Sequence, residues 1–266
     1  MIPLDLAPLY TTYRGRGKAP HRPDLMLAIV LFELRRGKRQ PTPWHQDTLE
    51  TSPLWWLGFG IHPSRSCWYE FRDRAGASVD TLNTQLLHQA VEAELTSAER
   101  GALDGSAVAA NASRRRLINP ERLEKRLAQL EAAIEDEAHG EDPGDVPGWM
   151  APTPRGRLPQ HERYGQAQAH LATRQAANEQ RPPAQRREPD PIVISPSDPE
   201  APLGLDKDGV FRPLYTVQTV RDVESPLILG YEVFAQASDA ATLPPMLQRS
   251  QQLSGRRLLE LLVDSG

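Results

Sequence analysis

The spacing of apolar residues changes character along the chain. Pro23-Asp24 opens a segment in which Leu25, Ala28, Ile29, Phe32 and Leu34 make a near-continuous apolar helix that stops at Gly37. Pro41 and Pro43 are expected to break the chain there. Trp44 to Leu57 is aromatic-rich, and Trp55-Trp56 are expected in the core. His62-Pro63-Ser64 supplies an N-cap for a short helix carrying Trp68, Tyr69 and Phe71. Val79, Leu82, Leu86, Leu87, Ala90 and Val91 then form a helical stripe. Residues 1–97 are therefore predicted to be an all-helical domain of helix-turn-helix type.

The period then shortens. Leu103 to Ala110 alternates weakly and predicts a strand. Asn119-Pro120 is a capping residue followed by proline at the first helical position, which predicts a helix over 120–138. Its Leu123, Leu127, Leu130 and Ile134 follow a 4-3-4 spacing, the seam of a helical hairpin or coiled coil. Under two heptads is too short to dimerise alone, so packing on the body of the protein is expected. Over 139–200 eleven prolines interrupt a polar stretch, which predicts flexibility, with little more than a short helix near Tyr164 to Glu179. Order returns near Leu203. Tyr215 to Val220 and Leu227 to Phe234 read as a hairpin around a turn at Asp222–Pro226. Ser238 or Asp239 is expected to cap a helix running to about Leu253, with Leu243, Met246 and Leu247 as its apolar face. Leu258 to Val263 is expected to be a last, buried strand. The predicted fold class is α/β: a mixed-sheet core over 98–266, interrupted by an insertion at 112–202, behind the helical domain.

Composition narrows the function classes. One cysteine, Cys67, excludes an internal disulfide and fits a reducing cytosol, so a cytoplasmic location is expected. The longest apolar run, Leu25 to Leu34, is too short to span a membrane, and no basic leader precedes it. The formal net charge of -4 hides segregation. Arg14, Arg16, Lys18, Arg22, Arg35, Arg36, Lys38 and Arg39 cluster against only Asp24 and Glu33, and Arg114, Arg115, Arg116, Arg122, Lys125 and Arg126 form a second group. Such clusters suit a polyanion, and equally suit solvated helix faces. The histidines show no metal-ligand spacing, which speaks against zinc.

Two aspartates carry the candidate chemistry. Asp104 and Asp264 are each a lone carboxylate in a short apolar run read as a strand, a costly placement unless a cation or donor meets it. Taken singly, Asp104-Gly105 is an ordinary turn signal, because Asp bonds its own backbone and Gly takes positive φ. Two such sites together suggest carboxylates gathered around a metal. The segments Asp104-Gly-Ser with Ala109-Ala-Asn-Ala-Ser-Arg-Arg-Arg116, Asp206-Lys-Asp-Gly with Tyr215-Thr-Val-Gln218, and Val263-Asp-Ser-Gly266 resemble a bacterial insertion-sequence transposase of the DDE class, over nearly the whole chain.

The resemblance implies an RNase H-like core in which acidic residues hold two divalent cations, Mg²⁺ or Mn²⁺. Asp104 matches the family's first acid and Asp264 its second. The third is a glutamate on a later helix, and the sequence ends two residues after Asp264. Neither Glu232 nor Glu260 matches that position. A core truncated before its third acid, inactive in strand transfer on its own, is therefore expected. The implied partner is double-stranded DNA carrying the element's terminal repeats, contacted by Arg114, Arg115 and Arg116 and by Arg35, Arg36, Lys38 and Arg39; a homodimer is left open. Two rival readings stand beside it: a non-catalytic DNA-binding product, and a decaying gene fragment.

Overall fold

Proline starts more of the helices than it stops. In the computed structural model, which describes residues 3–11, 13, 19–140, 144–186, 192–236, 239 and 241–264, Pro23 opens α2 (Pro23–Arg35) after a short α1 (Ala7–Thr11), and Pro41 opens α3 (Pro41–Glu50). A first-turn N–H has no intrahelical partner, so a residue without one is at home there. For that reason Pro41 and Pro43 begin a helix where the sequence suggested a break. Then come α4 (Ser52–Leu57), α5 (Arg65–Gly76), capped as expected by the Ser64 hydroxyl accepting the Cys67 N–H, and α6 (Val79–Glu92).

Contacts divide the chain into two compact units, Met1–Ala102 with Arg221–Gly230 and Leu247–Leu262, and Leu103–Val220 with Tyr231–Met246 and Val263–Gly266. The helical core of the first unit gathers Met26, Ile29, Trp44, Leu54, Trp68 and Phe71. Trp68 sits edge-on to both Trp44 and Phe71, with ring centroids 6.1 and 6.4 Å away. Trp55 and Trp56 do not join it. They are 43% and 83% exposed, because six-residue α4 turns only Leu54 fully inward.

The second unit has its own core in the insertion. α7 (Pro120–Ala138) is capped by Asn119 accepting the Arg122 N–H, as the sequence indicated. It lies against α8 (Pro154–Glu179), a 26-residue helix where mostly flexible chain was expected. Leu123, Leu127, Leu130 and Ala133 of α7 meet Tyr164, Ala167 and Leu171 of α8, with Met150, Ile118 and Ile194 completing the cluster. The α8 stripe is spaced 160-164-167-171 but is built of Gln, Tyr, Ala and Leu, so it carries almost no hydrophobic signal by itself. Its buried polar members meet backbone groups and, at Arg157, a carboxylate. Gln160 accepts the Ala151 N–H and donates to the Trp149 carbonyl, while Arg157 donates to the Ala151 carbonyl and pairs with Glu137.

One mixed sheet holds β1 (Arg100–Ala109), β2 (Leu203–Leu205), β3 (Phe211–Asp222), β4 (Ile228–Phe234) and β5 (Glu260–Val263), in the order β2-β3-β1-β5 with β4 also on β3. β2 and β3 pair antiparallel, Leu203 opposite Pro213. β3 and β4 form the expected hairpin, closed by the Asp222 N–H on the Leu227 carbonyl. α9 (Leu243–Ser254) begins later than the sequence indicated: the Asp239 carbonyl accepts the Thr242 N–H and hydroxyl, and Ser238 lies outside the described residues. Its buried face is Met246, Ser250 and Leu253, whereas Leu243 and Leu247 are exposed. β5 is a sheet edge with Leu262 and Val263 exposed, not a buried strand. Among the described residues no helix is long and apolar enough to cross a membrane.

Candidate functional site

The start of β5 fixes where the two aspartates stand. The Glu99 carbonyl accepts the N–H groups of both Leu259 and Glu260, at 2.7 and 3.1 Å. β1 and β5 thus begin at the same level, and only a parallel course lets the rest of β5 pair with β1. Arg100 Nε meets Glu260 Oε2 at 2.7 Å, so these two side chains share a face. Side chains alternate with period two along a strand. Asp104 and Asp264 lie four residues beyond Arg100 and Glu260 respectively. The same register continued to Asp264, one residue past the end of β5, would bring the two aspartates to one level on one face.

Neither carboxylate is buried. Asp104 is the fifth of ten residues in β1 and is exposed, as is Asp264. The expected desolvation cost is therefore absent, and each carboxylate is open to solvent. Asp104-Gly105 is also not a turn. Gly105 lies inside the strand, and its lack of a side chain makes room for Gln218 of β3: a Cβ at 105 would stand 2.6 Å from Gln218 Nε2. Alternation puts this contact on the face opposite Asp104. The Thr219 hydroxyl donates to the Asp104 carbonyl at 3.4 Å.

A cation reaches the aspartate face from the β2–β3 turn. There Asp206 Oδ1 accepts the N–H groups of Asp208 and Val210, Gly209 takes φ +70°, and Asp206 Oδ2 pairs with Arg212 at 2.7 Å. The turn carries Lys207, whose Nζ lies 3.2 Å from the hydroxyl of Ser106, two residues after Asp104. The segment Asp206-Lys-Asp-Gly entered the resemblance, but this lysine was given no place beside the first acid.

Asp104 and Asp264 supply hard oxygen donors, the chemistry that suits a divalent cation retaining several waters. Among the described residues there is no group of three or more His, Cys, Asp or Glu that could hold a metal. A cation held by these two alone would take its remaining ligands from solvent.

The basic residues divide into engaged and free. Arg36 pairs with Glu33 at 3.0 Å and Asp47 at 3.3 Å, and Lys38 pairs with Asp47. Burial, then a hydrogen bond to Asp47, holds the Glu33 carboxyl above its ordinary range. Burial pulls Asp47 the same way, but its hydrogen bonds with Lys38 and Glu33 outweigh that and hold it low. Arg36 and Lys38 thus knit α2 to α3. Arg35 and Arg39 are exposed and make no ion pair with a described residue. Arg14, Arg16 and Lys18 lie outside the described residues. Arg114, Arg115 and Arg116 follow β1 in an exposed turn, in which the Arg116 N–H meets the Ser113 carbonyl. Arg115 and Arg116 line a cavity of about 420 Å³; Arg114 does not.

Comparison with protein-family models, curated proteins and solved structures finds no match for this chain.

Proposed function

We propose that the chain is a DNA-processing phosphoryl transferase of the DDE transposase class, built on an RNase H-like core and working with Mg²⁺ or Mn²⁺. What supports it is the register of β1 against β5 at the Arg100–Glu260 pair, which, continued four residues, would carry Asp104 and Asp264 to one level and one face. Residues 160 apart in sequence meet in this way when parallel strands neighbour each other. Bound there, a divalent cation would activate the attacking oxygen and stabilise the leaving one. Asp104 and Asp264 would hold it. The open face admits a strand of duplex DNA, and Lys207 supplies positive charge beside the scissile phosphate.

The test is metal-dependent nicking of a supercoiled plasmid that carries the DNA flanking both sides of the gene. Cleavage with Mg²⁺ or Mn²⁺ should vanish in EDTA and fall at least about 100-fold in Asp104→Asn and Asp264→Asn. Both side chains are exposed, so the variants should keep wild-type stability to within about 0.5 kcal/mol. Cleavage surviving both substitutions would refute the assignment. A non-catalytic DNA-binding protein would instead bind the same DNA without nicking it under any metal condition.

A further inference from the structure

The insertion carries a pocket that no part of the two-aspartate site uses. It lies where the turn after β1, the first turns of α7 and the first half of α8 face one another, and encloses about 420 Å³. Five arginines line it. Arg115 and Arg116 come from the turn, Arg122 and Arg126 stand one helical turn apart on α7, and Arg163 comes from α8. No aspartate or glutamate lines the cavity, and none of the five arginines makes an ion pair with a described residue. Five other arginines, Arg36, Arg100, Arg157, Arg212 and Arg249, do meet carboxylates. Five guanidinium groups brought to one concavity without a counter-charge repel one another unless an anion joins them.

The wall of the pocket is aromatic. Trp149 is half-buried, with the Arg126 guanidinium 4.7 Å from its ring centroid and the Tyr164 ring 5.9 Å away. Arg126 also donates to the Tyr164 hydroxyl, which fixes the guanidinium over the indole. Planar forks held at defined positions match phosphate oxygens two at a time. An indole beside them offers a surface for a base.

The geometry points to this pocket as a second nucleic-acid site, which takes the phosphates and one base of a DNA strand. It rests on the reading of DNA as substrate but needs neither metal nor Asp104. The volume exceeds that of a lone phosphate, and the run of arginines from α7 across to α8 suits successive backbone phosphates. The hairpin then serves to grip DNA apart from the cleavage face.

The experiment measures binding of a fluorescein-labelled duplex to the full chain by anisotropy, in EDTA, from 50 to 200 mM NaCl. The comparison is with Arg122→Gln/Arg163→Gln, whose two side chains are exposed and leave the hairpin core untouched. The expected result is at least tenfold weaker binding and a log–log salt slope shallower by about 2, near 0.9 for each lost phosphate contact. Arg122→Lys/Arg163→Lys should keep the slope while losing affinity. DNA should also change tryptophan emission in the wild type and not in Trp149→Phe. Unchanged affinity and slope in the glutamine variant would overturn the proposal. So would a Trp149 response to inorganic phosphate or a mononucleotide with none to duplex, since the ligand would then be a small phosphate compound. These readouts hold whether or not the chain nicks DNA, so a failure here is distinct from a failure of the cleavage assignment.

Discussion

Replacing Gly105 by alanine probes the strand that carries the first aspartate. The added methyl would stand 2.6 Å from Gln218 Nε2, 3.1 Å from Cδ and 3.2 Å from Oε1. Comfortable contact needs roughly 3.5 Å, so the amide must retreat by nearly 1 Å. Gln218 is 1% exposed, so its amide cannot swing out into solvent. Overpacking of this kind costs about 1–3 kcal/mol. Against it stands a gain of about 0.5–1 kcal/mol from replacing glycine within a strand. The net expectation is a loss of about 1–2 kcal/mol. Truncating the obstacle reverses the sign: in a Gln218→Ala background, Gly105→Ala should stabilise by about 0.5–1 kcal/mol. The two substitutions are therefore coupled by about 1.5–3 kcal/mol. Urea unfolding of the four proteins, followed by circular dichroism and fluorescence with m checked for constancy, measures the cycle. Equal losses in both backgrounds would refute the idea that space, not turn geometry, selects glycine here.

Further expectations follow from other packed groups. Asp222 is buried and accepts the hydroxyls of Thr96 at 2.6 Å and Ser225 at 2.5 Å and the Glu224 N–H at 3.2 Å. Asp222→Ala orphans those donors and should cost about 2–4 kcal/mol by urea unfolding. Burial alone would raise this carboxyl, but the hydrogen bonds from Ser225, Thr96 and the backbone outweigh it and hold it below its ordinary value. A depressed folded value stabilises above the unfolded pKa and fades as pH falls through the folded one. Wild type should lose that contribution below about pH 4 and Asp222→Ala should not, read as the difference between their acid unfolding curves. In the insertion, Leu130 is fully buried between α7 and α8, so Leu130→Ala should cost about 2–5 kcal/mol, with the loss of order concentrated in hydrogen exchange of those two helices. Loss of exchange protection confined to the sheet would refute that placement.

The parts legible in the sequence are those whose signal is local. The Ser64 and Asn119 caps, the leucine seam of α7 and the alternation through β3 all depend on neighbours within a few residues, and the structure has them where the pattern put them. The parts that were not legible depend on distant partners. α8 is helical because Tyr164, Ala167 and Leu171 fit a leucine surface contributed by another helix. Trp44 and Trp55 are the same residue type eleven positions apart, yet only Trp44 meets Trp68. Gly105 was legible as a glycine beside an acid, but its reason lies across the sheet at Gln218. That Asp104 and Asp264 meet is an expectation carried by the resemblance; the β1–β5 register that supports it rests on Arg100 and Glu260, which carried no signal of their own.

At the root of the insertion, Ile118 and Ile194 exchange both backbone hydrogen bonds, each 3.0 Å long. Departure and return are clasped at one point, so the sheet is bridged there as if by a tight reverse turn, however long the excursion beyond it. Lengthening or shortening the helices at their far ends leaves this clasp, and the core packed on Ile118 and Ile194, in place. The hairpin is in this sense a tool bolted to its mount, free to vary only at the tip.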